Sequence, residues 1–312
     1  MRHLLLLILL LPSARTVMAQ LESAAFPVVQ LDATARSAGL GGASPAVIEP
    51  GTGALFSNPA LLTPDMHGAA ELTYLNHVSD LSAGWLSYAR SMDSVGTMAI
   101  GLRYLSFGDM DRTDASGVST GTFSASDIGL TAGLSRAWKS RLRYGASLSL
   151  LHNSIDSEGA SAFTMDLGLR WHDEARRLSF GATLNQVGVV LSSIGTRRDH
   201  LPTDLRVGAS KRLKHLPLLV SATAYRLNKL EGATLFHHLI LAAEFQFSDS
   251  FRMRFGYNHR RHDDLKIKTR LDMAGVSTGV GIRVRRVSVD YGYASWSSLG
   301  GLHRLTVQTA IH

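Results

Sequence analysis

From residue 70 onward the chain repeats one pattern: a large apolar residue, a small or polar one, then apolar again. Ala162 to Trp171 reads AFTMDLGLRW, with Phe163, Met165, Leu167, Leu169 and Trp171 on one side and Thr164, Asp166, Gly168 and Arg170 on the other. Successive side chains of a strand point to opposite faces, so this period of two predicts β-strand. About fourteen such segments follow one another, near 70–77, 83–90, 96–107, 124–138, 142–152, 162–172, 177–187, 203–213, 217–226, 237–247, 251–259, 270–284, 287–295 and 303–312. Several are about 10 residues long, the length of a tilted strand that crosses a bilayer.

The connections carry independent information. Those at 91–95, 139–141, 173–176, 214–216, 248–250 and 285–286 are short. They alternate with longer ones at 78–82, 108–123, 153–161, 188–202, 227–236, 260–269 and 296–302. Short turns on one side and long loops on the other are the habit of an outer-membrane barrel with an even strand number. A two-sheet sandwich gives no reason for that alternation, while a soluble antiparallel barrel stays open on the strand period alone. The expected fold is therefore all-β: a transmembrane antiparallel up-and-down barrel of about 14 strands, with both termini on the periplasmic side.

The polar face supports a membrane setting. It is rich in Gly and Ser and carries Arg103, Asp127, Arg143, Asp166, Arg170, Asp204, Arg206, Glu244, Arg283 and Asp290. On a lipid-facing wall a charge costs about 2–4 kcal/mol at mid-depth, so these residues are expected to line the lumen.

Residues 1–19 read MRHLLLLILLLPSARTVMA, with a positive start, an apolar run over Leu4–Leu11 and small residues before a cleavage point after Ala19. That is the pattern of a secretory signal peptide, too short for a spanning helix. The chain has no cysteine and a formal net charge of +7. For an exported chain the surplus points to anionic outer-membrane lipid or lipopolysaccharide rather than nucleic acid.

Residues 20–66 lack the strand period, and the barrel is assigned to 67–312. The intervening segment is too apolar for a free tail and too short for a domain, so it is expected to plug the lumen. Asn58, Pro59 and Ala60 lie in SNPALL, where proline steers Asn58 away from the α region. ARSAGLGGA (35–43) and GALFSNPALL (53–62) resemble the N-terminal hatch signature of the FadL-like outer-membrane superfamily. In that superfamily an Asn-Pro-Ala motif lies in a hatch that plugs a fourteen-stranded barrel.

A longer resemblance runs through NPALLTPDMHG, LTYLNHVSDLSAGWLSYAR, GTMAIGLRYLSFGDMDRTDASG, TGTFSASDIGL, LPTDLRVGASKRLKHLP and FGYNHRRHDDLKIKTRLDMAGVSTGVGIR. These stretches are similar to the PorQ family of the type IX secretion system. The resemblance implies a barrel that anchors a PorZ-like surface protein in an attachment complex with PorU-like and PorV-like members. That complex processes cargo and links it to lipopolysaccharide. The alternative within the superfamily is a transporter of small hydrophobic molecules.

Candidate chemistry is sparse. His259, Arg260, Arg261 and His262, followed by Asp263 and Asp264, form the densest ionisable stretch. As a surface loop it is a candidate anion or partner site, because Arg suits bidentate phosphate contact; a solvated loop with self-paired charges is the simpler alternative. His237 and His238 are adjacent and, on a strand, would point to opposite faces. Asp109, Asp111 and Asp114 lack the glycine and distal glutamate of a calcium loop. Gly39, Gly41 and Gly42 have no βαβ setting. No catalytic residues, metal site or cofactor are expected, and the chain is read as a non-enzyme.

Overall fold

The computed structural model describes residues 26–48, 51–76, 81–116, 118–194, 200–230, 234–266, 272–296 and 300–310. Residues 1–19, read above as a signal peptide, lie outside the described residues.

Fourteen strands form one closed antiparallel barrel in which each pairs with its sequence neighbours and the first pairs with the last. They are β1 (Ala69–Asn76), β2 (Ser82–Met92), β3 (Gly96–Thr113), β4 (Ser119–Lys139), β5 (Leu142–Ile155), β6 (Glu158–Asp173) and β7 (Leu178–Ser192). The circuit continues with β8 (Asp204–Arg212), β9 (Leu218–Ala224), β10 (Leu239–Gln246), β11 (Phe251–Asn258), β12 (Val276–Val284), β13 (Val287–Ser295) and β14 (Gly301–Ala310). Closure leaves no strand edge unpaired by design, which is what makes a barrel viable in lipid. Leu102, Ile128, Leu130, Leu148, Leu150 and Leu167 stand exposed on the outer wall.

Two long connections differ from the sequence reading. β3 and β4 run on as a hairpin through most of 108–123, and β5 and β6 do so through 153–161. These extensions carry polar side chains on both faces, so they have no amphipathic period to read. The connection at 227–236 holds a 3-10 turn at Leu227–Lys229. A second 3-10 turn, Leu235–His238, occupies the expected start of the tenth strand. The stretch read as a loop from 260 opens with a helix, α2 (His259–Leu265), capped by Asn58's counterpart in type, Asn258, whose side chain accepts from the Arg261 N–H at 3.0 Å.

The segment before β1 fills the lumen. It contains a short helix, α1 (Ala35–Gly39), and four 3-10 turns at Pro27–Gln30, Thr52–Phe56, Pro59–Leu61 and Pro64–Met66. Thr34 caps α1 by accepting from Ser37 N–H at 3.0 Å. Asn58 is extended, and its side chain accepts from Ala60 N–H at 3.0 Å, with Pro59 at the first helical position. The same side chain donates to Pro45 O at 2.7 Å and Leu169 O at 3.3 Å, stitching the turn to the rest of the hatch and to β6.

Half of the hatch is apolar. Phe26, Val28, Leu55, Phe56, Leu61, Leu62 and Met66 pack against the inward residues Leu75, Trp85, Leu105 and Leu151. The inner wall is thus less uniformly polar than the strand pattern suggests, because the plug supplies an apolar surface there. Glycines on the inner wall let the hatch backbone come close. Gly145 and Gly168 face each other across β5 and β6, and a Cβ on either would collide with the Asn58–Pro59 turn.

Gly168→Ala is therefore expected to destabilise the protein by about 1–3 kcal/mol through overpacking. Gly84→Ala, where the nearest atom to an added Cβ is 3.8 Å away, is expected to stay within about 0.5 kcal/mol. Urea unfolding of the detergent-solubilised variants measures both.

Candidate functional site

The seam between hatch and wall is where the charged residues meet. Arg36 stands on α1, whose Ala35 N–H is tied to Thr306 Oγ1 at 2.8 Å. From there its guanidinium reaches Glu244 on β10 with two bonds, Nε to Oε2 at 2.8 Å and Nη2 to Oε1 at 3.0 Å. Arg254 on β11 donates its Nε to the same Oε2 at 2.7 Å and its Nη1 to Asp290 on β13. Arg36 also donates to Ile48 O at 2.9 Å. Glu244 is fully buried and Arg254 nearly so. A buried carboxylate survives only with such partners, and the fork of arginine satisfies both of its oxygens.

The other predicted lumen charges sort into groups. Asp127 accepts from Val28 N–H of the hatch at 3.0 Å and from the Asn153 side chain. Asp166 accepts from Gln186 N–H at 2.6 Å and from Ser147 Oγ at 3.3 Å. Gln186 has a left-handed φ of 54°, at the register shift between β6 and β7, so Asp166 holds a bulge in place. Arg103 donates to Thr131 Oγ1 at 2.9 Å and lies 4.7 Å over the Phe56 ring. Asp204 pairs with Arg206 at 2.7 Å. Arg283 donates to Ser288 Oγ at 3.2 Å. Arg143 and Arg170 stand opposite each other in the β5–β6 register, with no carboxylate paired to either among the described residues.

Sequence reasoning named Glu244 and Asp290 among the lumen charges but not Arg254, which joins them, or Arg36, which reaches Glu244 from the hatch. Arg254 was legible as a polar-face residue of its strand; Arg36 was not, because the hatch has no period that assigns a face.

At the long-loop end a cavity of about 310 Å³ opens between hatch and wall, touched by Leu31, Asp32, Phe56, Arg206, Tyr225 and Arg261. The ionisable stretch forms part of its rim. Its charges are largely matched within the protein: Arg260 lies 3.3 Å from Asp264, and Arg261 lies 3.8 Å from Asp32 of the hatch. His262 contacts Ala274 O at 3.0 Å, and His259 lies 3.5 Å from Asp263. His237 and His238 sit in a 3-10 turn rather than a strand; His238 is buried against Tyr225 O, and His237 turns to Asp263 at 3.2 Å. Among the described residues no three metal-type ligands gather.

No family model and no curated protein matches the sequence. Solved structures do. The Ralstonia pickettii toluene transporter TbuX superposes with a TM-score of 0.60 at 13% identity, covering 89% of this chain and 98% of that one. The deltaS2 mutant of the TodX monoaromatic hydrocarbon channel gives 0.60 at 14%, covering 92% and 100%. A Pseudomonas aeruginosa FadL homologue gives 0.56 at 13%, covering 89% and 98%. The fold is that of the FadL-like outer-membrane barrels. The sequence expectation of a fourteen-stranded FadL-like barrel with a preceding hatch segment holds at that level, and identities this low carry the fold and nothing finer.

Glu244→Gln leaves two buried guanidinium groups on a neutral amide, so it is expected to cost about 3–5 kcal/mol and to speed trypsin cleavage at Arg36. Arg283→Gln, at a half-buried position, is expected to cost no more than about 1 kcal/mol. Urea unfolding and limited proteolysis separate the two.

The rim contact has a pH signature. The Lys266 ammonium, hydrogen-bonded at 2.6 Å, and then His237 hold the Asp263 carboxyl below the usual carboxylate range. A carboxyl lowered in the folded state contributes stability above its unfolded pKa and loses it as pH falls through the folded value. Amide protection over 235–238 and 259–265, measured by hydrogen exchange relative to the intrinsic rate at each pH, is expected to stay flat from neutral pH to about 5 and to fall only below about 4.

Proposed function

We propose that this chain is a plugged outer-membrane barrel that works through its long-loop rim, holding a surface partner, the role its PorQ-like stretches imply. The observation that carries the reading is the hatch packed inside the lumen. The apolar half of the hatch is packed on β1–β5, and α1 is bolted to β10 through Arg36 and Glu244. A solute has to pass around that plug or displace it. The rim meanwhile presents apolar side chains beside α2: Phe236 is 72% exposed and Leu235 58%. Exposed apolar residues of this kind are the raw material of a docking surface. In this reading a PorZ-like protein sits on the rim, and PorU-like and PorV-like proteins share the complex.

A second reading, passage of small hydrophobic molecules, has its own support, and the solved neighbours lean toward it. TbuX and TodX are named as a toluene transporter and a monoaromatic hydrocarbon channel. The mouth cavity, partly apolar, would be the place of entry.

Capture from detergent-solubilised outer membranes of the native cell distinguishes the two. The anchor reading expects a large surface-exposed protein that is lost with Phe236→Asp, while the barrel itself stays folded. It also expects surface attachment of cargo to fail in a deletion strain. Toluene uptake into proteoliposomes, with no stoichiometric partner recovered and cargo attachment intact, would instead establish transport and end the anchor reading.

A further inference from the structure

At the short-turn end of the lumen two arginines stand opposite each other across a strand pair. Arg143 on β5 and Arg170 on β6 are cross-strand register partners on the inner wall. They stand two residues from Gly145 and Gly168, the seat of the Asn58–Pro59 turn. Arg170 is only 8% exposed. Its Nε and Nη1 are buried without a hydrogen-bond partner, as are the Nε of Arg143 and the Nδ1 of His172, two residues further along β6. Among the described residues the pair makes one side-chain hydrogen bond, from Arg143 Nη2 to Ser135 Oγ on β4 at 3.4 Å.

The surrounding charges do not resolve this. Asp65 of the hatch attracts Arg143 from a distance, yet it is exposed and forms no ion pair with it among the described residues. Asp173 is engaged by Arg141 at 3.2 Å and by Arg176 at 3.9 Å. Like charges directly opposite on a sheet repel. Buried donors without acceptors are costly, and each such group calls for a cause. Other buried cations of this barrel each have a partner: Arg36 and Arg254 share Glu244, Arg103 has Thr131 and the Phe56 ring, and Arg304 donates its Nε to Asp32 O at 3.1 Å. Single donors stay unpartnered there too, at Arg103 Nε and Arg304 Nη1, but among the described residues only at Arg143 and Arg170 do two such guanidinium groups stand opposite each other.

We propose that Arg143 and Arg170, with Ser135 and His172 beside them, form a binding site for a small oxyanion, a phosphate or carboxylate, reached from the short-turn side. Two planar forks set across a strand pair suit an anion with several acceptor oxygens. The bound anion cancels the repulsion and props the wall under the hatch seat. The site is independent of which reading of the long-loop rim holds.

The test is thermal unfolding of the full folded barrel in detergent, with the heat-modifiable gel band as the check on folding. Inorganic phosphate is compared with chloride at equal ionic strength. Wild type is expected to gain roughly 2–4 °C at saturating phosphate. Arg170→Gln and Arg143→Gln are expected to lose that gain, while Arg283→Gln keeps it. In chloride alone Arg170→Gln is expected to be at least as stable as wild type, because it removes a repelling charge. Acetate in place of phosphate, and phosphatidylglycerol against phosphatidylcholine nanodiscs, identify the source as carboxylate or lipid headgroup. The proposal is overturned if none of the three anions stabilises wild type, if Arg170→Gln responds as wild type does, or if Arg170→Gln is the less stable protein in chloride.

Discussion

A carboxylate sealed in the wall of a barrel has to be neutralised from inside, and Glu244 is neutralised by a residue that belongs to the plug. Arg36 comes from the hatch and Arg254 from the neighbouring strand, and both land on the same side chain. Either arginine without the carboxylate, or the carboxylate without both, would be a buried charge short of a partner. Hatch and barrel are thereby one folding problem. The wall cannot satisfy Glu244 until the part of the hatch that carries Arg36 is in place.

The two sides of the lumen solve this differently. Toward β1–β5 the hatch and the wall exchange apolar surface, with Leu55, Phe56 and Leu61 against Trp85, Leu105 and Leu151. Toward β10–β13 they exchange charge. Between these contacts the inner-wall glycines bring hatch backbone against strand backbone, most clearly at Asn58–Pro59 over Gly145 and Gly168. Small residues on the inner face, which by pattern alone look like the lining of an open pore, are in fact contact points for a plug.

This arrangement bears on function. Passage needs either a route around a packed hatch or a way to displace it, and both the apolar half and the ion network oppose displacement. A surface partner needs neither. The fold shared with hydrocarbon channels leaves the lumen capable of either use in evolution, since function resides in sites rather than in folds.

How much of this was legible beforehand follows from where each residue sits. The strand period of two announced all fourteen strands and the lipid-facing side, because a bilayer imposes one hydrophobic face on every strand and tolerates few exceptions. The alternation of connection lengths announced the closed up-and-down order. Where the chain leaves the bilayer that constraint disappears, so the extensions of β3–β6, the helix α2 and the turn at Leu235–His238 went unread. The hatch could be recognised as a plug, yet Arg36 could not be matched with Glu244 across 208 positions of sequence. Which charges meet is settled by the three-dimensional packing of an aperiodic segment against the inside of a cylinder, and local pattern holds no record of that distance.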